Sequence, residues 1–180
     1  MTGPEPARRL FFALWPDAPA LARAVDAVAT LVPRGAGRPQ RADQLHLTLE
    51  FLGNVPESRL QAVREAGAVA ATSGRHEVIV LDRVEYWRRP QVLCLTASVV
   101  PGPVGALVES LRRELELRGF TPERREFRPH LTLARKFADA PSPVDIEPLV
   151  WPVREVTLVE SRTDPDGSRY SRLEAWPLGH

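Results

Sequence analysis

At 180 residues the chain is long enough for one large domain or two small lobes around a real hydrophobic core. Its composition is 43% hydrophobic and 26% charged, ordinary for a globular protein, and a formal net charge of +1 provides no global basic field for a long polyanion. No apolar run approaches the roughly 18–20 residues that span a bilayer, and Met1 to Arg9 holds no apolar segment of the signal-peptide kind, so neither a membrane span nor a signal peptide is expected. The single cysteine, Cys94, cannot form an internal disulfide. It lies in the apolar run Val92-Leu93-Cys94-Leu95 and reads as a small core residue in a reducing, cytoplasmic setting. Lys136 is the only lysine. A compositional bias accounts for most of the arginine, and arginine forks also suit phosphate.

Residues 9–15 form a short, dense apolar and aromatic run closed by Pro16-Asp17, which predicts a buried strand. Leu21, Val25, Val28, Ala29 and Val32 recur at helical spacing over 18–32. A Pro- and Gly-containing loop is expected over 33–39, a strand over 45–52, and a turn at Gly53-Asn54. Residues 56–72 predict a second helix, with Leu60, Val63, Gly67 and Ala70 on one face. Strands are expected over 76–84, alternating around Val78, Val80 and Val84, and over 92–100. Residues 103–118 carry the clearest amphipathic helix, with Gly119 placed to cap it. A strand over 129–135 follows, and 139–148 reads as a loop or a short helical turn. Two last strands, over 152–160 and 169–176, flank the turn Asp164-Pro165-Asp166-Gly167.

One tetrapeptide occurs twice. His46-Leu47-Thr48-Leu49 returns 84 positions later as His130-Leu131-Thr132-Leu133, in a chain with four histidines. The repeat is larger than the tetrapeptide. Strand 9–15, helix 18–32 and strand 45–52 match strand 92–100, helix 103–118 and strand 129–135. Leu10 precedes His46 by 36 residues and Val92 precedes His130 by 38. An internal duplication of a strand–helix–strand unit is implied. The expected fold is α+β: residues 1–180 as a single bilobal domain, each lobe a mostly antiparallel sheet backed by helices. In an extended strand, positions i and i+2 share a face, so His and Thr point one way and the leucines point to the core. Two such strands would line the groove between the lobes with a His/Thr/His/Thr cluster.

That cluster suits some chemistries poorly. Zinc sites take three or four ligands from His, Cys and carboxylates. The spare histidines are His76, at a strand edge, and His180, the last residue, and no His-Glu-x-x-His or Cys-x-x-Cys spacing occurs. No Gly-x-Ser-x-Gly elbow or Gly-rich phosphate loop occurs either. Paired imidazoles suit acid–base work. One neutral ring takes a proton from water while a protonated one gives a proton to a leaving oxygen. Threonine hydroxyls can hold phosphoryl oxygens between them, and an arginine can offset growing charge.

The paired His-Leu-Thr-Leu motifs, the second continued by Ala134-Arg135, resemble those of the two-histidine (2H) phosphoesterases. Arg9-Leu10-Phe11-Phe12-Ala13-Leu14-Trp15-Pro16 is similar to the opening strand of the LigT-type members, the RNA 2′,3′-cyclic phosphodiesterases once described as 2′-5′ RNA ligases. Leu52-Gly53, Trp87 to Leu93, and the ending from Glu160-Ser161 through Tyr170 to Trp176-Pro177-Leu178 are similar as well. The resemblance implies that a terminal 2′,3′-cyclic phosphate is opened to a 2′-phosphate. It implies His46 as proton donor to the departing 3′ oxygen and His130 as the base that activates water. Thr48, Thr132 and Arg135 match the positions that hold the phosphate. No metal and no cofactor are implied, and the partners are RNA 3′ ends or nucleotides bearing the cyclic phosphate, taken by a monomer. The same site could run 2′-5′ ligation or cleavage, and a non-turnover RNA-end-binding module is the reading from outside enzymology. Trp87 and Phe51 are candidates for stacking on a base, against the commoner role of core aromatics. Tyr170 either closes the cleft or packs in the core. Arg88, Arg89, Arg124, Arg125 and Arg128 either track the RNA backbone or are solvated.

Overall fold

The computed structural model describes residues 5–137, 142–164 and 167–179. Its elements are β1 (Ala7–Leu14), α1 (Ala18–Leu31), β2 (Arg38–Pro39), β3 (Leu47–Pro56), α2 (Leu60–Ser73), β4 (Glu77–Trp87), β5 (Val92–Thr96), α3 (Gly102–Leu117), β6 (His130–Arg135), β7 (Val144–Val153), β8 (Glu155–Asp164) and β9 (Gly167–Pro177). The expected α+β architecture with two lobes is present. The strands run in the order β7-β4-β5-β6-β3-β1-β8-β9, antiparallel at every junction, and β2 adds to the free edge of β6. The order has a two-fold regularity about the β6–β3 junction. The duplicated strands β5 and β1 lie next to the motif strands β6 and β3, so the repeated unit maps onto equivalent places in the two lobes. At that junction β3 and β6 pair only through Leu47 and Leu131, and the groove opens where they part.

Local sequence explains most elements. β1 has strands on both sides and cover on both faces, so Leu10 to Leu14 are all buried. Leu10, Phe12 and Leu14 join the main core, whereas Phe11 and Ala13 join Val159 in a small second cluster under the groove. Asp17 caps α1 by accepting the Ala20 N–H at 3.1 Å. In α3 the expected stripe Val104, Leu107, Val108, Leu111 and Leu115 is buried throughout, and Gly119 takes φ +75° just past its end. Gly67 in α2 lets the helix close onto Phe12 and Trp176; a Cβ there would come within 2.7 Å of both rings.

Several expectations are corrected. In α1, Leu21, Val28 and, just past its end, Val32 pack on the core as expected, but Ala20 and Ala24 complete the buried face while Val25 and Ala29 are exposed. Within 33–39, Arg38 and Pro39 pair with Arg135 and Ala134 as β2. Gly53-Asn54 is no turn: β3 runs on to Pro56, with Gly53 at φ +69° beside a bulge opposite Leu10 and Phe11. β4 is longer than expected and its parity is reversed. Ile79 and Leu81 point inward and Val78 and Val80 outward, until a bulge between Leu81 and Arg83 restores Val84 to the core. β5 stops at Thr96 because the Asp82 carboxylate takes the Ser98 N–H and hydroxyl. Residues 144–148 belong to β7, and residues 139–141 of that expected loop lie outside the described residues. The expected strand 152–160 is the end of β7 and the start of β8, separated at Arg154. Of the expected turn at 164–167, Pro165 and Asp166 lie outside the described residues, as do Met1 to Pro4 and His180.

Candidate active site

The two histidines flank the β3–β6 junction. His46 immediately precedes β3 and His130 opens β6, while Leu47, Leu49, Leu131 and Leu133 are buried in the core. The alternation read from the tetrapeptides therefore holds in both copies. His46, Thr48, His130 and Arg135 border one cleft of about 680 Å³. Thr132 is half-buried and is not among the residues bordering that cleft; it stands opposite Cys94 across the β5–β6 pair. Burial pushes the Cys94 thiol up to about 12, against the opposing pull of Thr132 and Arg135. A thiol in that state is no nucleophile.

Both imidazoles are oriented in the same way. Nδ1–H of His46 donates to the Gln44 carbonyl at 2.6 Å, and Nδ1–H of His130 donates to the Arg128 carbonyl at 2.9 Å. A carbonyl only accepts, so the proton sits on Nδ1 and Nε2 is the nitrogen left for a ligand. The Gln44 side chain in turn donates to the Ser168 carbonyl, tying this turn to β9.

The surroundings of the two rings differ. His46 lies in an aromatic cage: Trp15 is stacked 5.1 Å away at 15°, Phe11 is 5.0 Å away, and Tyr170 stands edge-on at 4.8 Å. The Arg172 guanidinium lies over the Trp15 ring, 4.6 Å from its centre. His130 lies against Trp87, ring centres 4.4 Å apart, in arginine-rich surroundings. Glu85 accepts from the Trp87 indole N–H at 2.9 Å and from Arg128 at 3.0 Å, so one carboxylate holds both residues that touch His130.

These surroundings set the charge of the imidazoles. Burial pushes His46 down from the ordinary 6.5 to about 4; the Gln44 carbonyl opposes this, while the charges of Arg135 and His130 add to it. Burial also lowers His130, opposed by the Arg128 carbonyl and reinforced by Arg125, Arg135 and Arg128. Both rings are therefore neutral in the empty cleft at neutral pH. Between pH 6.5 and about 4 the unfolded chain takes up a proton at residue 46 that the folded chain refuses, so stability rises with pH across that window. Denaturant midpoints measured from pH 7 to 4 are expected to fall for the native chain and to fall less for His46→Gln. Equal slopes for the two chains would contradict the aromatic cage as the source of the shift.

Other functional residues were hidden in the sequence. Glu50 is only 2% exposed. It accepts from Arg112 Nε on α3 at 2.9 Å and from the Glu123 N–H at 2.7 Å. Arg112 also donates to the Arg125 carbonyl at 3.0 Å. This pair pins the segment between α3 and β6 that leads into His130. A bulge between Phe12 and Ala13 shifts the β1–β3 register, which is why Glu50 is buried although it continues the His46, Thr48 series. Phe51, next along, is 38% exposed and borders the cleft with Arg9 over its ring at 5.0 Å. Trp87 and Tyr170 border the cleft too, so these three aromatics face the groove. Arg88, Arg89, Arg125 and Arg128 line it; Arg124 is exposed and is not on its walls. Among the described residues no group of three or more His, Cys, Asp and Glu side chains is placed to hold a metal ion. No helix among them is long and apolar enough to cross a membrane.

A family model described as LigT like phosphoesterase matches residues 14–94 and 97–170. The chain is 35% identical over 177 residues to an Escherichia coli K12 protein named RNA 2′,3′-cyclic phosphodiesterase, covering 95% of this chain and 97% of that one. It is 34% identical over 180 residues to a Thermus thermophilus protein of the same name, covering 94% and 90%. Among solved structures, E. coli LigT complexed with 3′-AMP matches with a TM-score of 0.85 and 31% identity, covering 97% of this chain and 100% of that one.

Proposed function

Because the chain belongs to the LigT-like phosphoesterase family, we infer that it is an RNA 2′,3′-cyclic phosphodiesterase, a hydrolase that opens a terminal 2′,3′-cyclic phosphate to a 2′-phosphate. The observation that carries the mechanism is the matched pair of imidazoles on one cleft, each with Nδ1–H given to a carbonyl two residues upstream and Nε2 left for substrate. Neutral His130 takes a proton from water through Nε2, and the water oxygen attacks phosphorus. The P–O3′ bond breaks, and protonated His46 gives its Nε2 proton to the departing O3′. Thr48, Thr132 and Arg135 are assigned to the phosphate. Thr48 and Arg135 border the cleft. Thr132, opposite Cys94, would serve by turning its hydroxyl toward the substrate.

The acid needs a charged His46, which the empty cleft disfavours. The cyclic phosphate supplies the remedy, since it carries one negative charge. An anion between the rings favours imidazolium, so substrate binding itself brings the proton to the acid. The site takes RNA or nucleotide substrates. We assign it to a monomer, since both histidines come from one chain, and to the cytoplasm, which suits a lone buried thiol.

A nucleoside 2′,3′-cyclic phosphate incubated with the enzyme and excess EDTA is expected to yield the 2′-monophosphate at an undiminished rate, resolved from the 3′ isomer by chromatography. The 3′ isomer as product would reverse which oxygen leaves. Loss of activity in EDTA with rescue by zinc or manganese would overturn metal-free acid–base catalysis.

A further inference from the structure

The cleft carries more positive charge than one cyclic phosphate can use. Of its arginines, Arg112, Arg125 and Arg128 are already paired, with Glu50 and Glu109, Glu123, and Glu85. Arg9, Arg88, Arg89 and Arg135 border the same cleft with no carboxylate partner among the described residues. Arg135 adjoins the second motif, and its charge reaches both histidines. Arg9 sits on the opposite wall over Phe51. Arg88 and Arg89 remain, two exposed neighbours at the tip of the β4–β5 hairpin.

That tip is held in place. The Trp87 indole N–H is fixed by Glu85, the Gln91 carbonyl accepts the Phe137 N–H at 3.1 Å, and Tyr86 donates to the Phe137 carbonyl at 3.0 Å. Two adjacent guanidiniums on a fixed hairpin form a ready binding point for a phosphate. Trp87 packs on His130, so the two arginines that follow it extend the His130 wall of the cleft. A free nucleoside cyclic phosphate has no second anion to offer there. An RNA has one, the phosphodiester on the 5′ side of its terminal nucleotide.

We propose that Arg88 and Arg89 bind this upstream phosphodiester, so that the enzyme prefers oligoribonucleotides ending in a 2′,3′-cyclic phosphate over free nucleoside 2′,3′-cyclic phosphates. The proposal rests on the cyclic phosphodiesterase reading above. Because the contact is electrostatic, it depends on salt; each single-stranded phosphate contact contributes about 0.7 to the slope of log affinity against log salt.

The test compares kcat/KM for cytidine 2′,3′-cyclic phosphate and for a tetraribonucleotide ending in the same group. The native chain is expected to favour the tetranucleotide. In the double variant Arg88→Ala/Arg89→Ala that preference is expected to shrink on the order of tenfold, and the salt slope for the tetranucleotide to become shallower by about 0.7, the loss of one phosphate contact. Arg88→Lys/Arg89→Lys, which keeps the charge, is expected to retain most of the preference and the slope. A native chain that treats both substrates alike overturns the proposal. So does a double alanine variant whose rates fall equally on both substrates, because the hairpin would then act on the chemical step. No turnover of either substrate by the native chain would remove the underlying reading and the subsite with it.

Discussion

Replacing His130 or His46 with alanine is expected to lower turnover of a nucleoside 2′,3′-cyclic phosphate by about 10²–10⁴-fold, the usual contribution of one general acid or base. Neither change should unfold the chain. Each ring lies at the cleft, and the leucines of both motifs keep the junction of the lobes packed. The double variant should lose less than the product of the singles, because the two groups act in one step. An aryl phosphodiester distinguishes the roles. Its leaving group departs without a proton, so His46→Ala should recover most of its rate on it and His130→Ala should not. The opposite recovery pattern would exchange acid and base. The native rate should be bell-shaped in pH. The limb set by His46 should lie at higher pH in kcat than in kcat/KM, because bound phosphate raises an imidazole that burial holds near 4 in the free chain. A near-native rate in either single variant on the cyclic phosphate would remove the mechanism.

Glu50→Ala is the change expected to cost the most stability. The carboxylate is 2% exposed and accepts from Arg112 and from the Glu123 N–H. Removing it leaves Arg112 with only Glu109 and the Arg125 carbonyl and strips the Glu123 N–H of its acceptor, a loss on the order of 1–3 kcal/mol for the unsatisfied group. Glu50→Gln keeps an acceptor for the backbone N–H and should lie between the alanine variant and the native chain. The measurement is the denaturant midpoint of the three chains at neutral pH. Loss of the same pair frees residues 119–129, so the alanine variant should also turn over more slowly where it remains folded. Equal midpoints for all three would mean that Arg112 and the 119–129 segment are held by other contacts.

The fold was legible where local pattern and tertiary context agree. The stripe of α3 and the doubled His-x-Thr strands are such places, because their periodicities are those of their own faces. In β4 the valines at alternate positions look like a core face, whereas Ile79 and Leu81 occupy it. Glu50 turns inward and Phe51 toward the cleft through a bulge, which leaves no mark in the sequence. The cage around His46 is drawn from β1, the residue after it, and β9. Only a fold that lays the first strand beside the last two brings Phe11, Trp15 and Tyr170 together. Glu85 and Arg112 gave no signal, since charged residues on a strand or helix normally face water.

The strand order also sets when each half of the cleft can exist. β4, β5, β6 and β7 follow one another between residues 77 and 153, so the His130 lobe has all its strands before β8 begins. The His46 lobe needs β1 and β3 from the beginning and β8 and β9 from the end. A chain still emerging from the ribosome therefore carries β1 with one edge unpaired and the wall contributed by Tyr170 unmade. Such a run of five apolar residues is a hazard while it waits, and distant pairing is slow to form. Biosynthesis is thus the period when this protein is most vulnerable to aggregation, and an arrested chain ending before β8 would hold one finished lobe and no working cleft.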